Sequence, residues 1–128
     1  MHLFSVGPWR APGANTNVFA AESQIDIMAA GAGVDPLELR LSNTSDPRMR
    51  RVLKAAAEAF GWKASATRTG TGRGLACGID AGTYVALVAQ VKVDPATGAV
   101  KVERVVCAQD MGLVVNPDGA RMQMEGCI

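Results

Sequence analysis

The chain has 128 residues, a formal net charge of +1 and only 5% aromatic side chains. This composition gives no electrostatic basis for binding nucleic acid or a membrane surface, and it offers few rings on which bases could stack. No apolar stretch is long enough to span a membrane, and the start of the chain lacks the layout of a signal peptide. The single histidine, His2, argues against a histidine-rich metal site or a Ser–His pair. Three widely spaced cysteines without a C-x-x-C motif predict small buried side chains in a reducing, cytoplasmic compartment: Cys77, Cys107 and Cys127.

Residues 10–13 read Arg-Ala-Pro-Gly and precede a predicted helix. Gly13 can adopt left-handed backbone angles, and Pro12 biases Ala11 toward an extended conformation. Three polar residues that could cap the helix follow, before the apolar repeat begins at residue 18: Asn15, Thr16 and Asn17. Free backbone N–H groups and the positive end of a helix dipole beside the Arg10 guanidinium would suit an anion. The alternative is an ordinary capped helix start with an exposed arginine.

The first half of the chain carries three helical patterns. The first pattern has an apolar face made of Val18, Ala21, Ile25, Met28 and Ala29, with Glu22, Ser23 and Asp26 on the polar side. It ends at the glycines of residues 31–33. Asp-Pro pairs at 35–36 and 46–47 each place an N-cap before a proline at the first helical position. We predict that the second helix extends to about Leu41, that the third ends at Gly61, and that the basic side chains of the third face solvent.

The second half has the pattern of β-strands. A Ser-, Thr- and Gly-rich stretch at 64–73 is predicted to be a linker, and a short apolar strand follows at 74–79. Residues 84–93 alternate and lead through an Asp-Pro-Ala-Thr-Gly turn into a return strand at 100–107, which predicts a β-hairpin. The alternation changes phase at 103–106, which indicates a bulge or a strand buried on both faces.

A last helix is predicted after Asn116, which is followed by proline and aspartate. Gln123 lies four residues after Gly119 and three before Gly126, so its amide occupies a helix lane without flanking side chains. Such a lane admits a polar ligand or the close packing of another element. Asp110, after the return strand, is placed to cap the turn that follows. The chain stops on an apolar residue within this pattern, which we interpret as a fragment of a longer protein.

These patterns together predict an α+β fold. A helical half (residues 1–63) would pack on a small, mostly antiparallel sheet with a β-hairpin. The linker at 64–73 would join it to residues 74–128, which contain the strands and a truncated C-terminal helix.

Three ordered groups of motifs resemble a known family. The first is Gly-Pro-Trp-Arg-Ala-Pro-Gly at 7–13, with Phe-Ala-x-Glu-Ser at 19–23 and Asp-Pro-Leu-Glu-Leu-Arg at 35–40. The second is Gly-Thr-Tyr-Val-Ala at 82–86 with a Val-x-Val-Asp-x-x-x-Gly hairpin, and the third is Asp-x-Gly-x-x-x-Asn-Pro-Asp at 110–118 with Gln-Met-Glu-Gly at 123–126. In this order they resemble the molybdenum-cofactor-binding large subunit of the xanthine dehydrogenase and aldehyde oxidase family, especially its isoquinoline 1-oxidoreductase and nicotinate dehydrogenase members.

The resemblance implies an oxidoreductase that hydroxylates N-heterocycles or aldehydes with oxygen drawn from water. It implies that Arg10, Ala11 and Gly13 lie against a molybdenum–molybdopterin cofactor and that Gln123 contacts the pterin. The implied partners are the remainder of the large subunit and an iron–sulfur small subunit. A periplasmic location is an alternative, because a partner subunit can carry the export signal in this family.

The chain departs from the family in two respects. The Gly-x-Gly-Glu segment that carries the family's glutamate base and the glycine-rich cofactor loops that precede the arginine loop are not in this sequence. We therefore assign no catalytic residue, expect no turnover from this chain alone, and expect the cofactor to be held by the parent enzyme and not retained by this fragment. The alternative function is a non-catalytic interaction module that binds a partner through an exposed apolar C-terminal helix or a sheet edge.

Overall fold

The computed structural model describes residues 11–63 and 69–128 and has the predicted α+β architecture. The helices are α1 (Ala14–Ala32), α2 (Pro36–Asn43), α3 (Pro47–Phe60) and α4 (Pro117–Glu125). The strands are β1 (Thr71–Asp80), β2 (Thr83–Val93) and β3 (Val100–Asp110), which form one antiparallel sheet in the order β1-β2-β3.

The two Asp-Pro helix starts are confirmed. The Asp35 carboxylate accepts hydrogen bonds from the backbone of Leu37 and Glu38, and Asp46 caps α3 in the same way. The third helix ends as predicted at Gly61, whose φ of 73° places it in the left-handed region. Short-range capping chemistry therefore defines both helices.

The hairpin of β2 and β3 is also confirmed, and the phase change is a β-bulge. Gln90 pairs with Arg104 while Val91 pairs with Val102, so Glu103 is the extra residue on β3. The predicted linker is too long, because β1 begins at Thr71 and its glycines take part in the strand; residues 64–68 of that linker lie outside the described residues.

One face of the sheet holds the core. The apolar side of α3 packs on it, and the buried cluster is Val52, Leu53, Ala56, Phe60, Leu75, Ala86 and Val88. Side chains alternate along each strand, so the other residues of β2 point to the opposite face. We call these two surfaces the α3 face and the opposite face.

The apolar stripe predicted for α1 is wrong in part. Ala21 and Met28 of that stripe are exposed, whereas Glu22, expected on the polar side, is buried. Val18 packs on β1 at Gly78, where a built Cβ would lie 3.2 Å from Cγ2 of the valine. A strand of small residues lets the helix approach this closely, and that contact is not visible in the helix's own periodicity.

A buried ion pair explains the position of Glu22. Its carboxylate accepts a 2.8 Å hydrogen bond from Nε of Arg40 on α2 and another of 2.8 Å from the backbone N–H of Cys77 on β1. Nη2 of Arg40 also lies 2.8 Å from Asp26. One side chain thus joins α1 to α2 and satisfies a backbone donor of the edge strand.

Candidate functional site

The predicted cofactor loop forms a tight turn into α1. Ala11 and Gly13 both have positive φ, 49° and 75°, and the carbonyl of Ala11 accepts a 2.9 Å hydrogen bond from the N–H of Ala14. The helix begins at Ala14 without a side-chain cap, so the prediction of a cap among residues 15–17 is wrong. The turn brings the chain into the helix before those side chains are reached. Arg10 lies outside the described residues.

A cavity of about 450 Å³ lies between the start of α1 and the β1–β2 hairpin. Ala11 and Ala14 form one wall, and Asp80, Ala81 and Val85 contribute to the other. Ala81 has a φ of 46° in the two-residue hairpin turn. A left-handed conformation is unusual for alanine, so two strained alanines border the same cavity.

The second predicted group, Gln123, lies on α4 with an exposed side chain. The sequence predicted a strip of helix surface without side chains beside Gln123, and the structure confirms this only in part. A Cβ built at Gly119 would lie 3.0 Å from the side-chain amide of Asn116, because Asn116 folds over the helix start and accepts from the N–H of Gly119. The prediction of Asn116 as N-cap is confirmed, and its side chain occupies the space that we assigned to a ligand.

The strand register places the β1–β2 turn and the end of β3 at the same end of the sheet. Asp80 pairs with Thr83 at the β1–β2 turn, and Tyr84 pairs with Asp110 where β3 ends. The loop to α4 therefore starts beside the turn that borders the cavity. Since β1 and β3 are two strand spacings apart, Asp80 at the end of β1 and Asp110 at the end of β3 lie roughly 10 Å from each other.

A network of charged groups surrounds the end of β3. The Asp110 carboxylate accepts hydrogen bonds from Nη2 of Arg48, at 2.7 Å, and from the backbone N–H of Gly112, at 3.1 Å. The Arg48 hydrogen bond is the main reason that the pKa of Asp110 falls from 3.8 to about 2. The Arg48 guanidinium also lies 4.3 Å from the centre of the Tyr84 ring. Tyr84 donates to Asp46, the cap of α3, with an O···O distance of 2.8 Å.

The prediction that Asp110 caps the turn after β3 is confirmed, whereas the prediction of a solvent-facing basic helix is wrong in part. Arg48 and Arg51 both pair with Asp110, and Arg50 donates to the carbonyls of Leu41 and Thr44. These arginines join α3 to the preceding loop and to β3. Their partners are far away in sequence, so a charge pattern within the helix does not show them.

A comparison with models of protein families shows which family the chain belongs to. A model of the molybdopterin cofactor-binding domain matches residues 20–128, which include the sheet and Gln123. The chain belongs to this family. The predicted resemblance to the molybdenum-cofactor-binding subunits is thereby confirmed, while Ala11 and Gly13 lie just before the matched region.

Curated relatives agree with that assignment. A nicotinate dehydrogenase subunit of Pseudomonas putida is 42% identical over 91% of this chain, and the beta subunit of isoquinoline 1-oxidoreductase of Brevundimonas diminuta is 40% identical over 86%. A membrane-bound aldehyde dehydrogenase of Gluconacetobacter polyoxogenes, whose name specifies pyrroloquinoline quinone, is 37% identical over 62%. The chain spans 11%, 14% and 11% of the length of these proteins, respectively.

Metal sites, membrane-spanning helices and reactive cysteines are the other features to consider within residues 11–63 and 69–128. No cluster of three or more His, Cys, Asp or Glu side chains suits a metal ion there, and no helix in those ranges has the length and hydropathy needed to cross a membrane. Burial raises the pKa of the Cys77 thiol to about 11, so it is a poor nucleophile. Cys77 and Cys107 are half-buried, and Cys127 is exposed, which corrects the prediction of buried cysteines.

Sequence reasoning missed the role of Glu22 and the partners of Asp110. Glu22 belongs to the Glu-Ser motif at 22–23, and Arg40 ends the motif at 35–40. An acidic residue in one motif and a basic residue in the next could have suggested the pair. Nothing in the sequence indicates that the carboxylate also accepts from the backbone of β1.

Proposed function

We propose that this chain forms one wall of a molybdopterin site in an oxidoreductase subunit that hydroxylates N-heterocycles or aldehydes with oxygen drawn from water. The family assignment carries this proposal, and the names of the relatives support the substrate classes. The convergence of the α1 start and the β3–α4 loop at one end of the sheet supports a shared site.

The available groups suit a polar, phosphate-bearing pterin. The N–H groups in the first turn of α1 are largely paired within the turn, and the positive end of the helix dipole there still favours anionic oxygens. We propose that Arg10, Ala11 and Gly13 hold this end of the cofactor. Gln123 would hold the pterin, since its amide can donate and accept, and it has no partner among the described side chains.

When bound, a molybdenum–pterin group supplies the two-electron oxidation of an electron-poor carbon. The chain's own contribution is to bind and orient that group. We propose that this chain alone does not turn over, because it corresponds to 11–14% of the length of the two first-named relatives. A cofactor site draws groups from several elements, and the catalytic base would come from another part of the subunit.

The proposed partners are the remainder of the large subunit and an iron–sulfur small subunit. The β3–α4 loop supports the first of these. Leu113 and Val115 are 92% and 90% exposed, and large apolar side chains in that state are typical of a surface that another polypeptide covers.

The test is retention of molybdenum cofactor released from a known molybdoenzyme. The chain is incubated with this cofactor, and the fraction that it holds is measured at equilibrium from the pterin fluorescence, because we do not expect this fragment to keep the cofactor through desalting. Gln123→Ala should reduce retention about tenfold, as expected for losing hydrogen bonds to a charged or strongly polar ligand. Gln24→Ala, an exposed glutamine on α1, is the matched control and should retain as much as the parent.

The same preparation is assayed with nicotinate, isoquinoline and an aldehyde. We expect no oxidation above background from the chain alone. Retention unaffected by Gln123→Ala would refute the assigned cofactor contact, and turnover by the isolated chain would refute the inactive role.

The alternative, a non-catalytic interaction module, is supported by the same exposed apolar side chains. Light scattering separates the two functions. A stable homodimer that retains no cofactor favours the module, whereas a monomer that retains cofactor favours the molybdopterin site.

A further inference from the structure

The β3–α4 loop (residues 111–116) and α4 make little use of packing. None of the residues of α4 is buried, and most side chains of the loop are exposed. The apolar core lies on the α3 face, under α3, and does not include them. Hydrophobic burial therefore does not determine where α4 lies relative to the sheet.

Polar contacts at Asp110 hold the first turn of the loop. One carboxylate oxygen, Oδ1, accepts from both Arg48 and the backbone N–H of Gly112, and the carbonyl of Asp110 accepts from Arg48 at 3.1 Å. Gly112 has a φ of 80°, with nothing within 4 Å of a built Cβ. The glycine is thus required for the direction of the backbone and not for space.

Arg48 is itself held in place. It lies in the first turn of α3, whose start is capped by Asp46, and its guanidinium stacks on the ring of Tyr84. Tyr84 is the strand partner of Asp110 and donates to Asp46. A closed set of contacts therefore connects the packed helix to the first turn of the loop.

We propose that Asp110 is a positioning residue that fixes the direction in which the chain leaves β3, and thereby the place of α4 and Gln123. Its effect on the cofactor rests on the proposed function, but its effect on α4 does not. The carboxylate acts through Gly112, and no contact between Asp110 and a ligand is needed.

The test measures the position of α4 by pulsed electron paramagnetic resonance. Nitroxide labels are placed on the natural Cys127 and on Lys54→Cys of α3, in a background with Cys77→Ala and Cys107→Ser. Asp110→Ala removes the oxygen that accepts from Arg48 and Gly112, and it should broaden the distance distribution about twofold, because weakly packed elements move when their anchors are lost. Asp118→Ala removes the same group from α4 itself and should leave the distribution unchanged.

A purely stabilising role predicts something different. In that case Asp110→Ala would lower the melting temperature but keep the narrow distribution at 25 °C, and this result would overturn the proposal. If Asp110→Ala does not fold, Gly112→Ala carries the test, since it keeps the Arg48 contact but disfavours the turn. An unchanged distribution in Gly112→Ala would equally overturn it.

The retention assay separates the two proposals. A broadened distribution, together with retention that Gln123→Ala does not affect, would leave the positioning role intact and reject the cofactor contact. A narrow distribution in Asp110→Ala, with retention lost in Gln123→Ala, would reject the positioning role and leave the cofactor contact intact.

Discussion

The two faces of the sheet are stabilised in different ways. The α3 face has a continuous apolar core, in which Leu53 and Val88 are fully buried. The α1 side has a buried ion pair and a close contact between Val18 and Gly78, and the first turn of the β3–α4 loop is held by the hydrogen bond from Gly112 to Asp110. Of the residues proposed for the cofactor, Ala11 and Gly13 lie just before α1 and Gln123 lies on α4, all outside the apolar core. Loops presented by a rigid scaffold often carry binding residues.

The largest expected effect concerns the buried ion pair. Arg40→Met should lower the free energy of unfolding by about 4 kcal/mol, because it leaves the Glu22 carboxylate buried without its cation. Urea denaturation followed by circular dichroism measures the loss. Arg51→Met, which breaks an exposed contact with Asp110, should cost under about 1 kcal/mol.

Adding Glu22→Gln to Arg40→Met should restore part of the stability, since a neutral amide needs no cation. If Arg40→Met and Arg51→Met lower the free energy of unfolding by the same amount, the ion pair does not hold α1 in the way we describe.

The second prediction addresses the core directly. Leu53 is 1% exposed, and Leu53→Ala should cost about 3 kcal/mol through lost burial and the cavity left behind. Leu113→Ala makes the same change on the β3–α4 loop and should alter stability by less than about 0.5 kcal/mol. Chemical denaturation of the two variants measures the difference. A comparable loss for Leu113 would mean that the loop packs as tightly as the α3 face.

A smaller effect distinguishes two glycines on the same side of β1. Gly78→Ala places a methyl 3.2 Å from Val18 and should cost about 1 kcal/mol by pushing α1 away. Gly74→Ala meets nothing within 4 Å, so it should be neutral or slightly stabilising. Thermal melts and amide exchange in α1 report the change. Equal melting temperatures and equal amide exchange in the two variants would show that α1 does not depend on the contact between Val18 and Gly78.

The last prediction concerns pH. Because folding lowers the pKa of Asp110 from 3.8 to about 2, its charge stabilises the fold above pH 4, and this contribution is lost as the pH falls toward 2. The urea midpoint of the protein should therefore exceed that of Asp110→Asn at pH 6, and the two should converge near pH 2. A constant gap across this range would assign the effect of the substitution to something other than ionisation.

Local elements could be predicted from the sequence to different extents. The Asp-Pro caps at residues 35 and 46 and the glycine at 61 act on their own helix ends, so local chemistry is sufficient. The bulge at Glu103 was visible as a break in alternation. The predicted cap of α1 was wrong because Ala11 and Gly13 turn the chain into the helix before the polar residues at 15–17.

The candidate site was predictable only in part. Motif resemblance gave the family, and Gln123 lies on the predicted helix, but the space beside it is filled by Asn116. The shared location of the α1 start and the β3–α4 loop depends on strand register, which pairs residues far apart in the sequence.

By itself, the sequence determined the caps of α2, α3 and α4, the hairpin with its bulge, and membership of the molybdopterin cofactor-binding family, because these depend on neighbouring residues or on ordered motifs. Only the tertiary structure decided that Glu22 is buried against Arg40 and that Asp110 joins α3 to the β3–α4 loop. The physical reason is that a charged side chain becomes buried or paired only when a distant segment supplies its partner, and no local pattern identifies that segment.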